Sequence, residues 1–352
     1  MSSDAKNMTS ETQHDAQVGR NRKRGCVNHC KRFWWAYLLF LCAIVVLVVC
    51  LISQVFSGHS IFVAVPKIAQ HKMDDSKLEI QGVHVLETRP NSYLMEINST
   101  ITTDGSIHAD IDGFQGNLYI DSDENSVPFA TLDFPPTVSD KLVLVNISQT
   151  VQIRDRAAFT RFNTLFYQNK AVRVRLSGKT KVKPSGLSRK YDVDFSKILE
   201  FDGLDAFGGT KVDGSVDIGA PAGSPNFRGT ADIPNRSHFT LDVGNASFTN
   251  FADGQNIGSM TINNLVIRPG INKVNVEAEL DQLKVLQIIG KKPYCDNGIV
   301  PFELLATDVV RNGEKLDYFA TALASRNQTV DIDIGSILRK TIPGFSLSCS
   351  RG

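Results

Sequence analysis

The sequence predicts a mainly β protein carried on a membrane by one N-terminal helix. Three observations lead there. The stretch from Phe33 to Phe56, FWWAYLLFLCAIVVLVVCLISQVF, holds no Asp, Glu, Lys, Arg or His. From Lys77 onward, apolar residues recur at every second position in short runs, the pattern of strands with one buried face. Gly, Asn, Asp and Pro punctuate those runs, as turns between antiparallel strands require. The predicted organisation is a cytoplasmic basic tail (1–32), a transmembrane helix (33–56) and a connector (57–75). Two tandem antiparallel β-sandwich domains follow (76–200 and 201–352), each with a short helix.

The membrane helix follows from length and chemistry. About 20 apolar residues, rising 1.5 Å each, span the roughly 30 Å hydrocarbon core of a bilayer. A single segment satisfies its backbone groups there only as a helix. Trp34, Trp35 and Tyr37 stand at one end, where amphipathic rings favour the interface. A cleaved signal peptide has a shorter apolar run, and a buried core helix keeps a polar face. Before Phe33, Lys6, Arg20, Arg22, Lys23, Arg24, Lys31 and Arg32 outnumber Asp4, Glu11 and Asp15. After the span, Lys67, Lys72 and Lys77 are balanced by Asp74, Asp75 and Glu79. Basic flanks stay cytoplasmic, so the chain beyond the span is expected to be lumenal or extracellular. The flank RNRKRGCVNHCKR reads first as this orientation signal. It also suits attraction to anionic lipid and palmitoylation of Cys26 or Cys30. Cys26, His29 and Cys30 lack a fourth zinc ligand nearby.

The formal charge of the whole chain is +1, and its basic excess sits in the tail. The remainder has no footprint for nucleic acid, which asks for a basic domain. Of six cysteines, Cys42 and Cys50 fall in the span, and only Cys295 and Cys349 lie beyond it. A lone pair in an oxidising compartment predicts one disulfide, with two buried thiols as the alternative. The sequons at Asn98, Asn146, Asn235, Asn245 and Asn327 all lie on the predicted lumenal side and are candidate glycosylation sites. Asn7-Met-Thr also matches but falls in the cytoplasmic tail.

Along the chain, residues 1 to about 19 are polar and aperiodic. Ser57–Asp75, with Gly58 and Pro66, reads as a connector. Strand alternation then runs through Leu78, Ile80; Val83, Val85; Leu94; Ile107, Ala109, Ile111; and Leu118, Ile120. It returns at Leu142, Leu144; Val151, Ile153; Val172, Val174, Leu176; and Tyr191, Val193, Phe195. One helix interrupts it, capped by Asp155, with Ala158, Phe159, Phe162, Leu165 and Phe166 on one face. Phe159, Phe162 and Phe166 are candidates for one wall of an apolar groove, with ordinary core packing as the alternative. A weak repeat relates Asp104-Gly-Ser-Ile to Asp213-Gly-Ser-Val and Phe114-Gln-Gly to Phe227-Arg-Gly. It predicts two copies of one β domain meeting near Phe201–Gly209. The second copy alternates through Phe239, Leu241, Val243; Ile262, Leu265, Ile267; and Val274, Val276, Ala278, Leu280. Leu283, Leu286 and Ile289 predict a short helix ended by Gly290, and strands resume at Phe302 and at Val330, Ile332, Ile334.

The segment Asp232-Ile-Pro-Asn-Arg-Ser-His-Phe-Thr-Leu-Asp-Val, with Phe248, Gly254-Gln-Asn-Ile-Gly and Ile267-Arg-Pro-Gly-Ile-Asn, resembles the type-2 late-embryogenesis-abundant (LEA) domain. Asn235-Arg-Ser stands where that family has Asn-Pro. The first half carries Gly113-Phe, Pro128-Phe, Phe134-Pro-Pro and Val151-Gln-Ile-Arg-Asp. It is similar to a fungal membrane-anchored family of unknown function. The resemblance spans most of residues 78–335. It implies fibronectin type III-like sandwiches, a vacuolar membrane location with the plasma membrane next, and kinship with a yeast vacuolar-membrane protein linked to the ending of autophagy. Its LEA side implies lipid handling.

Catalytic spacings are sparse. The sequence has no H-E-x-x-H, G-x-S-x-G, P-loop or G-x-G-x-x-G, and no cofactor motif. Asp121-Ser-Asp-Glu-Asn-Ser imitates the start of an EF-hand. It has Ser126 where Gly is needed and Leu132 where the bidentate Glu belongs. The expectation is a non-enzymatic, membrane-anchored binding module that engages lipid or serves as a scaffold for a membrane protein partner. The alternative is a lumenal or extracellular hydrolase of unfamiliar design.

Overall fold

The computed structural model describes residues 41–49, 60–121 and 127–349, without side chains for 60–64. The chain divides into two units, 1–64 and 65–352. In the first, residues 41–49 are helical and exposed. The rest of the expected span lies outside the described residues, as do Cys26, Cys30, Asn7 and most of the EF-hand-like loop. No helix among the described residues is long and apolar enough to cross a membrane.

The expected connector is a helix, α1 (Ser60–Asp75). Pro66 lies inside it, where it removes one backbone hydrogen bond and crowds the preceding turn; this signal is what argued against a helix. Tertiary packing overrides it. Val65, Ile68, Ala69, Lys72 and Met73 recur at spacings of three and four and share one surface. As a helix, 16 residues cover about 24 Å, against about 55 Å for the same residues fully extended.

The first half then runs β1 (Lys77–Leu86), β2 (Ser92–Thr102), β3 (Ala109–Ile111), β4 (Phe114–Ile120), β5 (Ala130–Phe134), β6 (Thr137–Ser139) and β7 (Leu142–Gln152). The helix α2 (Arg156–Gln168), β8 (Ala171–Pro184) and β9 (Tyr191–Asp202) complete it. The second half opens on a 3-10 turn (Asp205–Phe207), followed by β10 (Lys211–Val216), β11 (Phe227–Asn235), β12 (Phe239–Ala252), β13 (Gln255–Ile267) and β14 (Gly270–Leu280). Next come α3 (Gln282–Ile289), α4 (Tyr294–Asn297), β15 (Ile299–Arg311), β16 (Glu314–Lys315), α5 (Asp317–Ala324), β17 (Gln328–Asp333) and α6 (Ile334–Thr341). The protein is mainly β, with its strands in two sheets.

One sheet has eleven strands along β10-β11-β14-β13-β12-β1-β2-β7, with β15 on β12 and with β16 and β17 on β15. The other has six, β5-β4-β8-β3-β6 with β9 on β8. The larger sheet crosses residue 200 through one parallel pairing, Val83 opposite Phe239 and Val85 opposite Leu241. Strand β12 serves both halves: its start pairs with β1, and Asn245–Ala252 pair with β15. Of the two matched pairs in the sequence repeat, Phe114 and Phe227 both open strands, β4 and β11, but the other pair sits differently. Asp104 is in the loop after β2, whereas Asp213 lies within β10.

Helix α2 begins as expected, with the Asp155 carboxylate accepting from the Ala158 N–H at 2.8 Å. The second half carries four helices where one was expected. Ile334 does not continue β17. Asp333 caps α6 by accepting from the Ser336 N–H at 2.8 Å, and Ile334, Ile337 and Leu338 then bury on helical spacing. The face of α3 also differs from the expected one. Val285, Ile288 and Ile289 are buried, while Leu283 and Leu286 are 73% and 42% exposed.

Candidate ligand cavity

Between the two sheets of the first half lies a cavity of about 510 Å³. It occupies the end of the sandwich where β1 and β7 begin and β2 and β8 finish. Inward positions of the larger sheet form one wall: Leu78, Ile101, Val143 and Val145. The smaller sheet forms the other, with Ala109, Ile111, Val182 and Phe195. Leu78, Ala109, Ile111 and Phe195 are on the expected alternating faces, but β7 turns the other way. Val143 and Val145 face inward, while Leu142 and Leu144 are 61% and 67% exposed, because β7 is apolar at consecutive positions and alternation alone does not choose its buried face.

Aromatic rings close the inner end. Phe114 stacks on Phe134 with centroids 4.9 Å apart, and Phe195 tilts against Phe114 at 5.4 Å. Two cross-strand glycines make room for them. A Cβ on Gly116 would lie 2.6 Å from the Phe134 ring, and one on Gly178 would lie 2.7 Å from Phe114.

Helix α1 covers the open side. Val65, Ile68, Ala69 and Met73 line the cavity, and polar clasps hold the helix to both sheets. On one side, β9 pairs with β8 alone, which leaves its outer backbone groups without a strand partner. The Gln70 carboxamide takes that place: Nε2 donates to the Asp194 carbonyl at 2.7 Å and Oε1 accepts from the Asp194 N–H at 3.0 Å. Lys197 Nζ donates to the carbonyls of Asp74 and Ser76, each at 2.6 Å, which satisfies groups at the helix C-terminus. Burial pushes this ammonium below its ordinary pKa, opposed by Asp74 and Asp75. On the other side, Lys72 pairs with Asp104 from the loop after β2. The hydrogen bond from Lys72, with those from the Ser106 N–H and hydroxyl, holds the Asp104 carboxyl well below the usual carboxylate range. The rim outside these clasps is apolar: Ile68, Val138 and Leu187 are all exposed.

The expected site residues fall elsewhere. Phe159, Phe162 and Phe166 are buried in the opposite end of the sandwich. They stack or tilt on Tyr93, Phe129 and Phe239 at 5.2, 4.1 and 4.7 Å. They wall no open groove; the void beside them is about 60 Å³. Cys295 and Cys349 form the expected disulfide, with Cα atoms 5.1 Å apart. They also cluster with Asp296 in a metal-like spacing, but disulfide sulfurs are not thiolate ligands. Asn98, Asn146, Asn245 and Asn327 are exposed, and Asn98 lies directly opposite Asn146 on β2 and β7. Asn235 departs from its expectation as a glycan carrier. It is 2% exposed, its Nδ2 donates to the Phe239 carbonyl, and its Oδ1 accepts from the Ser237 N–H and hydroxyl. A glycan on Nδ2 has no room there.

The cavity itself was not found by sequence reasoning. The one local signal was the helical spacing Val65, Ile68, Ala69, Lys72, Met73, which Pro66 obscured.

A family described as a protein of unknown function (DUF3712) matches residues 127–250. The match runs from just before β5 into β12 and so crosses both halves. No curated protein matches the chain. Among solved structures, the chain is similar to a protein from Archaeoglobus fulgidus, at 11% identity over 36% of this chain and 94% of that one, with a TM-score of 0.22. It is similar to red sea bream transglutaminase at 12% identity, over 76% of this chain and 33% of that one, TM-score 0.22. A bacterial adhesin from Mobiluncus mulieris is 8% identical over 73% of this chain and 96% of its own, TM-score 0.17.

Proposed function

We propose that this chain is a membrane-anchored binding module whose cavity holds the apolar part of a membrane-derived lipid, and that it works by binding rather than catalysis. The observation that carries this is the apolar cavity of about 510 Å³ under α1, within the roughly 300–1,000 Å³ typical of small-molecule sites. Its covering helix starts at Ser60, four positions after the end of the expected span at Phe56. On this reading the N-terminus is cytoplasmic and the two LEA-like sandwich halves are lumenal, at the vacuolar membrane. Asn98, Asn146, Asn245 and Asn327 carry glycans there.

Mass spectrometry of lipid co-extracted with the full chain tests the proposal. A lipid retained after exchange of the surrounding detergent supports it. A chain that carries none and takes up no fluorescent fatty acid overturns it. Glycopeptide mapping tests the topology separately: sugar is expected at the four exposed asparagines and not at Asn235. Sugar on Asn7 would reverse the orientation.

A further inference from the structure

We infer that the occupant is a single-chain amphiphile with an anionic head, of the long-chain carboxylic acid class, whose head meets the Lys72 ammonium and whose tail lies between the sheets. This rests on the reading of the cavity as a lipid site and specifies the lipid. The titratable side chains among the lining residues are Lys72, Asp104 and His108. Lys72 comes from the covering helix, and the other two from the loop between β2 and β3. Charged chemistry is therefore gathered at the mouth, and the buried hydroxyls of the lining already donate to backbone, Ser99 to the Val145 carbonyl at 2.7 Å and Ser76 to the Met73 carbonyl at 2.6 Å.

The mouth favours an anion. The Asp104 carboxylate already accepts from Lys72, from the Ser106 N–H at 3.0 Å and from the Ser106 hydroxyl at 2.8 Å. A cationic head would compete with all three donors. The Lys72 ammonium has three protons, and its described side-chain hydrogen bond goes to Asp104. Its side chain is 37% exposed, so a carboxylate at the mouth can join or replace Asp104 as its partner. His108, also exposed at the mouth, is a further donor for an anion. The Phe114, Phe134 and Phe195 rings pack together in the lining, and the space of about 510 Å³ gives room to one tail.

The test uses the full chain in nanodiscs of zwitterionic phospholipid at neutral pH. A long-chain fatty acid bearing a mid-chain diazirine is compared with the matching fatty alcohol, and photolabelled peptides are mapped. The acid is expected to label peptides containing Ile107–Phe114 and Val138–Val145. The alcohol should label them about tenfold less, the worth of one charge-assisted hydrogen bond. Lys72→Gln should reduce acid labelling to the alcohol level, and Lys72→Arg should keep it. Asp104→Asn, which frees Lys72, should raise it. Equal labelling by acid and alcohol in the unmodified chain overturns the inference while the cavity stands as a lipid site. So does acid labelling unchanged in Lys72→Gln. The unmodified chain decides even if a variant fails to fold. If neither probe labels those peptides, the lipid reading itself falls.

Discussion

The two ends of the first-half sandwich are made of the same strands and closed by different helices. At one end, α2 inserts Phe159, Phe162 and Phe166 between the sheets, each against another ring. The space left is about 60 Å³. At the other end, α1 presents Val65, Ile68, Ala69 and Met73, and about 510 Å³ stays open. Strand alternation makes both ends apolar, so hydrophobicity does not separate them. Side-chain volume and placement do. Three phenylalanines fill an interior to the density that cores require. A short aliphatic face clasped across the edge by Gln70, Lys72 and Lys197 leaves the space open. One end is filled by its own side chains and the other is left open.

The largest expected effect tests the filled end. Phe162→Ala removes a ring whose centroid is 4.1 Å from that of Phe129 and should cost about 3–5 kcal/mol in urea unfolding. Met73→Ala, facing the open cavity, should cost under about 1 kcal/mol and lower lipid retention instead. Similar costs for the two would erase the distinction between the ends.

A third region provides a reference outside both. The disulfide from Cys295 to Cys349 closes a separation of 54 residues. In the chain-entropy account this contributes roughly 4 kcal/mol, less any native strain. Cys349→Ser should therefore lower stability by about 2–4 kcal/mol with lipid retention unchanged. Lost retention in this variant would mean that the cavity depends on global stability rather than on its own walls.

Filling the open end should have the opposite signature. Ala69 lines the cavity from α1, so Ala69→Trp puts an indole where the proposed ligand's tail would lie. Stability should move by about 1 kcal/mol or less, because the added ring enters space rather than a packed core. Lipid retention should fall sharply. Unfolding caused by Ala69→Trp would show that the space closes in solution.

The sequence carried the parts of this fold that rest on short-range pattern. Period-two alternation located most of the strands, and Asp155 with the phenylalanines after it located α2, because caps and periodicity are local. The cysteine pair was legible because only two cysteines lay beyond the expected span. What was not legible depends on non-local neighbours. The β1–β12 pairing joins positions more than 150 residues apart, Val83 and Phe239, and nothing in either strand names its partner. Leu283 and Leu286 look like the buried face of α3, but Asp281 caps the helix in a rotation that buries Val285 and Ile288. Pro66 hid α1 because the stabilising contacts are with sheets that come later in the chain. A cavity is the hardest feature to read, since it is set by volume that no residue fills.

The smallest expected effect concerns the clasp over the open end. Asp104 is held below its ordinary value of 3.8, first by the hydrogen bond from Lys72 and then by Ser106. A carboxylate whose folded-state pKa is lowered contributes stability that is complete above its unfolded value. That contribution is lost as pH falls through the lower folded value. The clasp should therefore hold across the mildly acidic range and open only below the ordinary carboxylate range. Amide hydrogen exchange in the α1 segment after Pro66 reads this directly, because local opening sets the exchange of a surface helix. After correction for intrinsic exchange rates, protection at pH 5 should equal that at pH 7. Asp104→Asn should reduce it at both values by a few-fold, as expected for one exposed ion pair. His71, which pairs with Asp75 on the same helix at 2.7 Å, is replaced by Gln in both chains so that the readout belongs to Asp104. Protection that falls between pH 7 and pH 5 in the His71→Gln background would show that a group other than Asp104 holds α1 down.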